Sequence, residues 1–237
     1  MLAIRLYTGP AYQPLNLFLR EVSKLGADWR RRLARSHQFS YAATVKHLSD
    51  GLRKLARVST EVRAGVVVAA RACDVHRSGC CCWYAAVVFV RVMMPDVACV
   101  LQVAMVYRGV RGELPEAFWL RDAFGMVTAT DFGFMSTSFD RAVSKGFLGS
   151  GGGVCVLWEI ECGAETDDGF HSAADVSLLS QFPGEKEMLF PPLTMLQVQA
   201  QQHGGGPAAA LSRAAYKTHK TAKGAEYICI RVWPTFV

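Results

Sequence analysis

The stretch that decides the reading is Phe182-Pro183-Gly184-Glu185-Lys186-Glu187-Met188-Leu189. Pro183-Gly184 is a turn signal, and the apolar residues after it read as a strand over Met188 to Phe190. Glu185 and Glu187 stand two apart on the approach to that strand. Period-two geometry would put both carboxylates on one face, where like charges push pKa values apart. Pro191-Pro192 and a second short strand, Thr194 to Val198, follow.

Working back toward the N-terminus, Phe134-Met135-Ser136-Thr137-Ser138 sets three hydroxyls in an apolar context, where each needs a partner. Further back, Tyr107-Arg108-Gly109 closes a strand expected over Leu101 to Tyr107. An arginine at a strand end suits a phosphate, because its planar fork pairs oxygens two at a time. Met126 to Ser138 reads as one or two strands turning near Asp131 and Gly133. Asp140 to Phe147 reads as a short helix, and Val154 to Cys162 as a strand. In that strand Val154, Val156 and Trp158 share one face, and Cys155 and Leu157 the other. Tyr227 to Val232 reads as the last strand. Gln199 to Lys223 is polar and basic, a linker or an exposed helix, and Gly149 to Gly153 is a flexible loop.

Residues 1–62 read as helical: one helix begins after Pro14 with Leu17, Phe18 and Val22, and another spans Tyr41 to Ala56. In the second, Val45, Leu48, Leu52 and Leu55 recur at three- and four-residue spacing and form one apolar face. Arg30, Arg31 and Arg32 read as a solvated face. Residues 63–100 lack periodicity and read as an irregular, insertion-like segment. Helices in front of many short strands give an α+β class, with 1–237 as one domain whose β-rich part is 101–237.

The chain has 237 residues, 51% hydrophobic and 19% charged. That balance excludes a disordered chain, a collagen and a small disulfide knot. The net charge of +6 permits an anionic ligand but does not argue for nucleic acid. There is no GxGxxG opening a helix and no P-loop. Of the eight cysteines, Cys73, Cys80, Cys81, Cys82 and Cys99 crowd together, and free thiols are expected. Cys73, His76 and Cys80 come closest to a zinc set but have no distant second pair, so no metal is expected. No signal-peptide pattern opens the sequence. The apolar tract Ala85 to Val106 is broken by Arg91, Pro95 and Asp96 before it could span a bilayer. A cytoplasmic protein without a membrane span is therefore expected, with a secreted form or a fragment as the alternatives.

Taken together, an arginine on one strand, Ser-Thr-Ser on a later one and Glu-x-Glu before a third resemble the arginine–serine–glutamate class of mono-ADP-ribosyltransferases. The resemblance covers about Met105 to Val198. It extends loosely to Tyr7-Thr8-Gly9 and the Asn16 to Arg20 helix, and fails over about 63–100. It implies a core of two packed, mainly antiparallel sheets behind N-terminal helices. It implies NAD+ as co-substrate, with NADP+ the alternative, and transfer of ADP-ribose to an exposed arginine of a target protein.

The resemblance also implies roles. Glu187 would be the catalytic carboxylate, Ser136 its support and Arg108 the grip on a cofactor phosphate. The Gly109 backbone would meet the nicotinamide amide, Ser136, Thr137 and Ser138 would lie in the cofactor site, and Phe147 would stack on nicotinamide. Glu185 would orient the incoming arginine and Phe182 would touch the target. Two alternatives stand beside this reading: an NAD+ glycohydrolase, and an inactive NAD-binding or protein-interaction module.

Overall fold

A computed structural model describes residues 2–24, 41, 43–57, 104–149, 153–167, 169–199 and 213–236. The expectations for Arg30 to Arg32, for 63–100, and for the parts of the two loops at 150–152 and 200–212 lie outside these residues.

Helix α1 (Leu2–Leu6) runs into α2 (Tyr12–Ser23) through a kink at Gly9-Pro10, where Gly9 leaves the helical region. α2 thus begins two residues before Pro14, which occupies an early helical position that needs no amide donor. A third helix, α3, covers 43–57. The spacing expectation holds: Leu48 and Leu52 are buried, with Val45 and Leu55 packed beside them. The three helices share a core with Phe134, Ala174, Val176 and Leu189.

The strands are β1 (Ala104–Val110), β2 (Thr128–Asp131), β3 (Met135–Ser138), β4 (Cys155–Cys162), β5 (Ala174–Asp175), β6 (Glu187–Phe190), β7 (Thr194–Val198), β8 (Thr218–Lys220) and β9 (Glu226–Thr235), with helix α4 (Arg141–Gly146) after β3. They follow the order β2-β7-β9-β4-β1-β3-β6-β5, with β8 beside the first part of β9. All pairs are antiparallel except β4 with β9. The fold is α+β, as expected. The two expected sheets meet within one hydrogen-bonded path, because Tyr107 pairs with Ser138 and joins β1 to β3.

Alternation decides which face each strand buries. Val156, Trp158 and Ile160 enter the main core with Met135, Met188 and Phe190, while Cys155 and Leu157 pack with Leu148 and Tyr227 on the other face. Burying a side chain of this size contributes about 1.5–3 kcal/mol. Just before β3 and on β6, Phe134 and Leu189 face the N-terminal helices instead. The site therefore sits where these two faces diverge.

The strands differ from expectation in three places. β1 continues through Arg108 to Val110, because Arg108 pairs with Trp158 and Val110 with Val156 on β4; Arg108 is inside the strand, not at its end. β5 and β8 have no counterpart in the sequence pattern, being two and three residues long, too short to show a period. β9 extends to Thr235 with Pro234 inside it. It does so because its second half pairs with β7 as well.

Among the described residues Cys155 and Cys229 carry free thiols. No group of three or more His, Cys, Asp or Glu among them could hold a metal. No helix there is long and apolar enough to cross a membrane.

Candidate active site

β3 and β6 pair with Ser138 opposite Glu187 and Ser136 opposite Leu189. The diagonal neighbour of Ser136 on the same face is therefore Glu187, within reach of its hydroxyl. Ser136 Oγ donates to Glu187 Oε1 at 2.7 Å. Ser180 Oγ donates to the other oxygen, Oε2, at 3.3 Å. Glu187 is 7% exposed. Burial raises its pKa, the two hydroxyls oppose that, and the nearby Glu185 charge adds to the rise.

Arg108 lies on the adjoining strand. Its Nη1 donates to the Ser136 carbonyl at 2.7 Å and its Nη2 to Asp131 Oδ2 at 3.3 Å. Ser136 thus joins the two charged groups, carbonyl to arginine and hydroxyl to glutamate. Burial lowers the Arg108 pKa and Asp131 opposes the shift; a guanidinium stays charged through such changes. With 23% of its side chain exposed, Arg108 keeps a face to solvent.

The other two hydroxyls do different work. Ser138 Oγ donates to the Glu185 carbonyl at 2.7 Å and accepts from Asp140 N, fastening the turn before β6. Thr137 falls on the opposite face with Met135, and its hydroxyl donates to the Met188 carbonyl. Alternation therefore separates Thr137 from Ser136, and its side chain is committed to the core.

Glu185 does not extend the strand. It ends a short turn, Pro183–Glu185, and Lys186 after it is left-handed at φ 49°. The expected period-two alignment of the two carboxylates is therefore replaced by a turn, which carries Glu185 to a half-exposed position near Glu187. Phe182, 56% exposed, opens this loop, and Phe147, 48% exposed, ends α4. Both rings offer surface to a ligand or partner.

Gly109 has a packing reason. A Cβ there would collide with the Ser144 carbonyl of α4 and lie 3.2 Å from Leu148. Ser144 Oγ also donates to the Tyr107 carbonyl at 2.8 Å. The close approach that this glycine permits on its Cβ side is by α4. Gly109→Ala is expected to cost about 1–3 kcal/mol through overpacking, read as a lower denaturation midpoint with unchanged m-value.

Several contributors come from the N-terminal stretch, which the sequence marks only by a loose resemblance and with no role attached. Asn16 Oδ1 accepts from Phe134 N at 2.8 Å, and its Nδ2 donates to Tyr7 Oη at 2.9 Å and to the Phe134 carbonyl at 3.4 Å. Asn16 thereby holds the residue that begins the Ser-Thr-Ser strand. Thr8 Oγ1 accepts from Gln181 N, and Gln181 Nε2 donates to the Arg5 carbonyl. The kinked N-terminal segment thus grips the loop bearing Phe182. A hollow of about 240 Å³ between Ala56, Arg57 and the 164–172 loop includes none of these residues.

A carboxylate buried against two hydroxyls, beside a partly exposed arginine, defines a site that can stabilise developing positive charge while holding an anion. No family model matches the sequence and no curated protein matches it. Among solved structures, the chain is similar to the ADP-ribosyltransferase HopU1 of Pseudomonas syringae, at 20% identity and TM-score 0.34 over 55% of this chain; the likeness spans 46% of that one. It is similar to Exoenzyme S from Pseudomonas aeruginosa, solved with human 14-3-3 protein beta and bound to carba-NAD, at 16% identity and TM-score 0.45, over 97% of this chain and 70% of that. It is also similar to Plx2a, an ADP-ribosyltransferase toxin from Paenibacillus larvae, at 15% identity and TM-score 0.48, over 97% of this chain and 83% of that. At these scores the residues and their geometry must carry the chemistry.

Proposed function

We propose that the chain cleaves the nicotinamide–ribose bond of NAD+ and transfers the ADP-ribosyl group to an arginine side chain of a target protein. The observation that carries this reading is the Ser136–Glu187 hydrogen bond inside a pocket of two hydroxyls, with Arg108 attached to the same serine.

As the C1′–N bond breaks, nicotinamide leaves with the bonding pair and positive charge builds on the ribose, as in glycoside cleavage. An ionised Glu187 facing that charge favours the transition state over the ground state. Ser136 and Ser180 hold its rotamer and keep it ionised against burial. Arg108 grips a phosphate of the dinucleotide, and Phe147 stacks on the leaving ring. The incoming guanidinium nitrogen forms the new bond to C1′ and loses a proton. Glu185 orients that group by a charge-assisted pair and accepts the proton. The exposed Phe182 meets the target protein. Water in place of arginine gives NAD+ glycohydrolysis at the same site.

Incubation with labelled NAD+ and a small guanidine acceptor tests this reading. Labelled acceptor together with free nicotinamide is the expected result. Free ADP-ribose alone would make the chain a glycohydrolase, and no turnover would leave a non-catalytic module.

A further inference from the structure

Ser180 is 5% exposed and belongs to neither strand of the site. A tight turn places it, with its amide donating to the Val176 carbonyl at 2.7 Å. Its hydroxyl makes two contacts at once. The proton goes to Glu187 Oε2 at 3.3 Å, and the oxygen accepts from Phe182 N at 3.1 Å. A hydroxyl has one proton and two lone pairs, so the two bonds coexist. The next residue, Gln181, is tied to Thr8 and Arg5, so the backbone entering Phe182 is held from outside the loop.

We propose that Ser180 is a positioning residue that couples the Glu187 carboxylate to the peptide of Phe182, and so links the bond-breaking centre to the loop that meets the acceptor. This rests on the reading of Glu187 as the catalytic carboxylate. Each carboxylate oxygen is then held from a different segment: Oε1 by Ser136 on β3, Oε2 by the loop. Pressure of an acceptor on the exposed Phe182 ring reaches Oε2 through a single oxygen atom. The charged and titratable groups around Glu187 are Glu185 on the same loop and Tyr7 on the kinked N-terminal segment. Arg108 on β1 and Asp131 on β2 act on Tyr7 in turn.

The test compares Ser180→Ala, Ser180→Cys and Ser180→Thr in the full chain. Glycohydrolysis and transfer to free arginine are followed across pH, and the Glu187 carboxyl is titrated by carbon NMR without NAD+. Loss of the hydroxyl removes an interaction that favours the ionised form. The Ala and Cys variants are therefore expected to move the Glu187 titration and the acid limb of the rate profile to higher pH. In both, kcat for glycohydrolysis should fall about tenfold, and KM for arginine should rise about threefold or more. Ser180→Thr, which keeps the hydroxyl, should restore all three. The cysteine variant serves if the alanine variant does not fold. An unmoved Glu187 titration, or a threonine variant as impaired as the others, would overturn the coupling. Absence of NAD+ turnover in the unmodified chain would instead sink the functional reading, and the titration alone would then decide whether Ser180 governs Glu187.

Discussion

Glu187→Gln is expected to lower NAD+ cleavage by about 10³-fold or more, whether water or arginine is the acceptor. Glutamine keeps the volume and one acceptor oxygen for the serine hydroxyls, its Nε2 being a donor only, and it carries no charge to face the ribose cation. The fold should survive and become slightly more stable. The folded pKa of Glu187 is raised, chiefly by burial. The folded state therefore binds this proton more tightly than the unfolded chain does. The stabilising contribution is complete below the unfolded pKa and is lost as pH rises through the folded pKa. Above that window the buried charge opposes folding, and glutamine removes the opposition. Thermal unfolding at pH 7 and above should shift up by about 2–4 °C for a gain of about 1 kcal/mol, and the gain should vanish in acid. A variant that turns over NAD+ at near-normal rate removes Glu187 from the chemistry. One that melts lower at neutral pH refutes the cost assigned to its burial.

The second large effect separates the two glutamates. Glu185→Gln should reduce transfer to arginine by about 10²–10³-fold, the range of a lost general base, while glycohydrolysis stays within about threefold. Glu185 lies half-exposed on its turn, open to an acceptor, whereas Glu187 is enclosed. Its backbone carbonyl, not its carboxylate, is what Ser138 holds, so the substitution leaves the turn fastened. Parallel assays with labelled NAD+, with and without a guanidine acceptor, give the ratio directly. Equal losses in both would mean that the two carboxylates act as one unit.

Much of this site is legible in the amino-acid sequence. The pairing of Ser136 with Glu187 is what the family resemblance implies and the β3–β6 register explains, while the apolar face of α3 follows from its three- and four-residue repeat. The face assignment along Val154 to Cys162 also holds residue by residue. Sequence pattern fails where a single backbone angle matters. Lys186 in the left-handed region breaks the alternation that would have aligned Glu185 with Glu187, and nothing in a lysine announces it. Gly109 carries a packing constraint that the sequence does not announce, since the Ser144 carbonyl takes the space a Cβ would need. Arg108 looks like a strand end because the strand's last residues carry no apolar alternation; pairing with β4 extends it.

The sequence by itself determined the α+β class and the order of most elements, and it singled out the arginine, serine and glutamates of the candidate site. These rest on local patterns, since side-chain period and turn residues act over a few positions. Only the tertiary structure decided how those groups are held. Asn16 holds Phe134 from 118 positions away, Thr8 holds Gln181 from 173 away, and Asp131 meets Arg108 across 23. Such contacts leave no periodic trace, because each costs loop-closure entropy and the partner is chosen by packing rather than by spacing. Ser180 shows the distinction most plainly: an ordinary serine in a loop without period, it becomes a partner of the buried carboxylate once β6 and the 176–182 turn fold against each other.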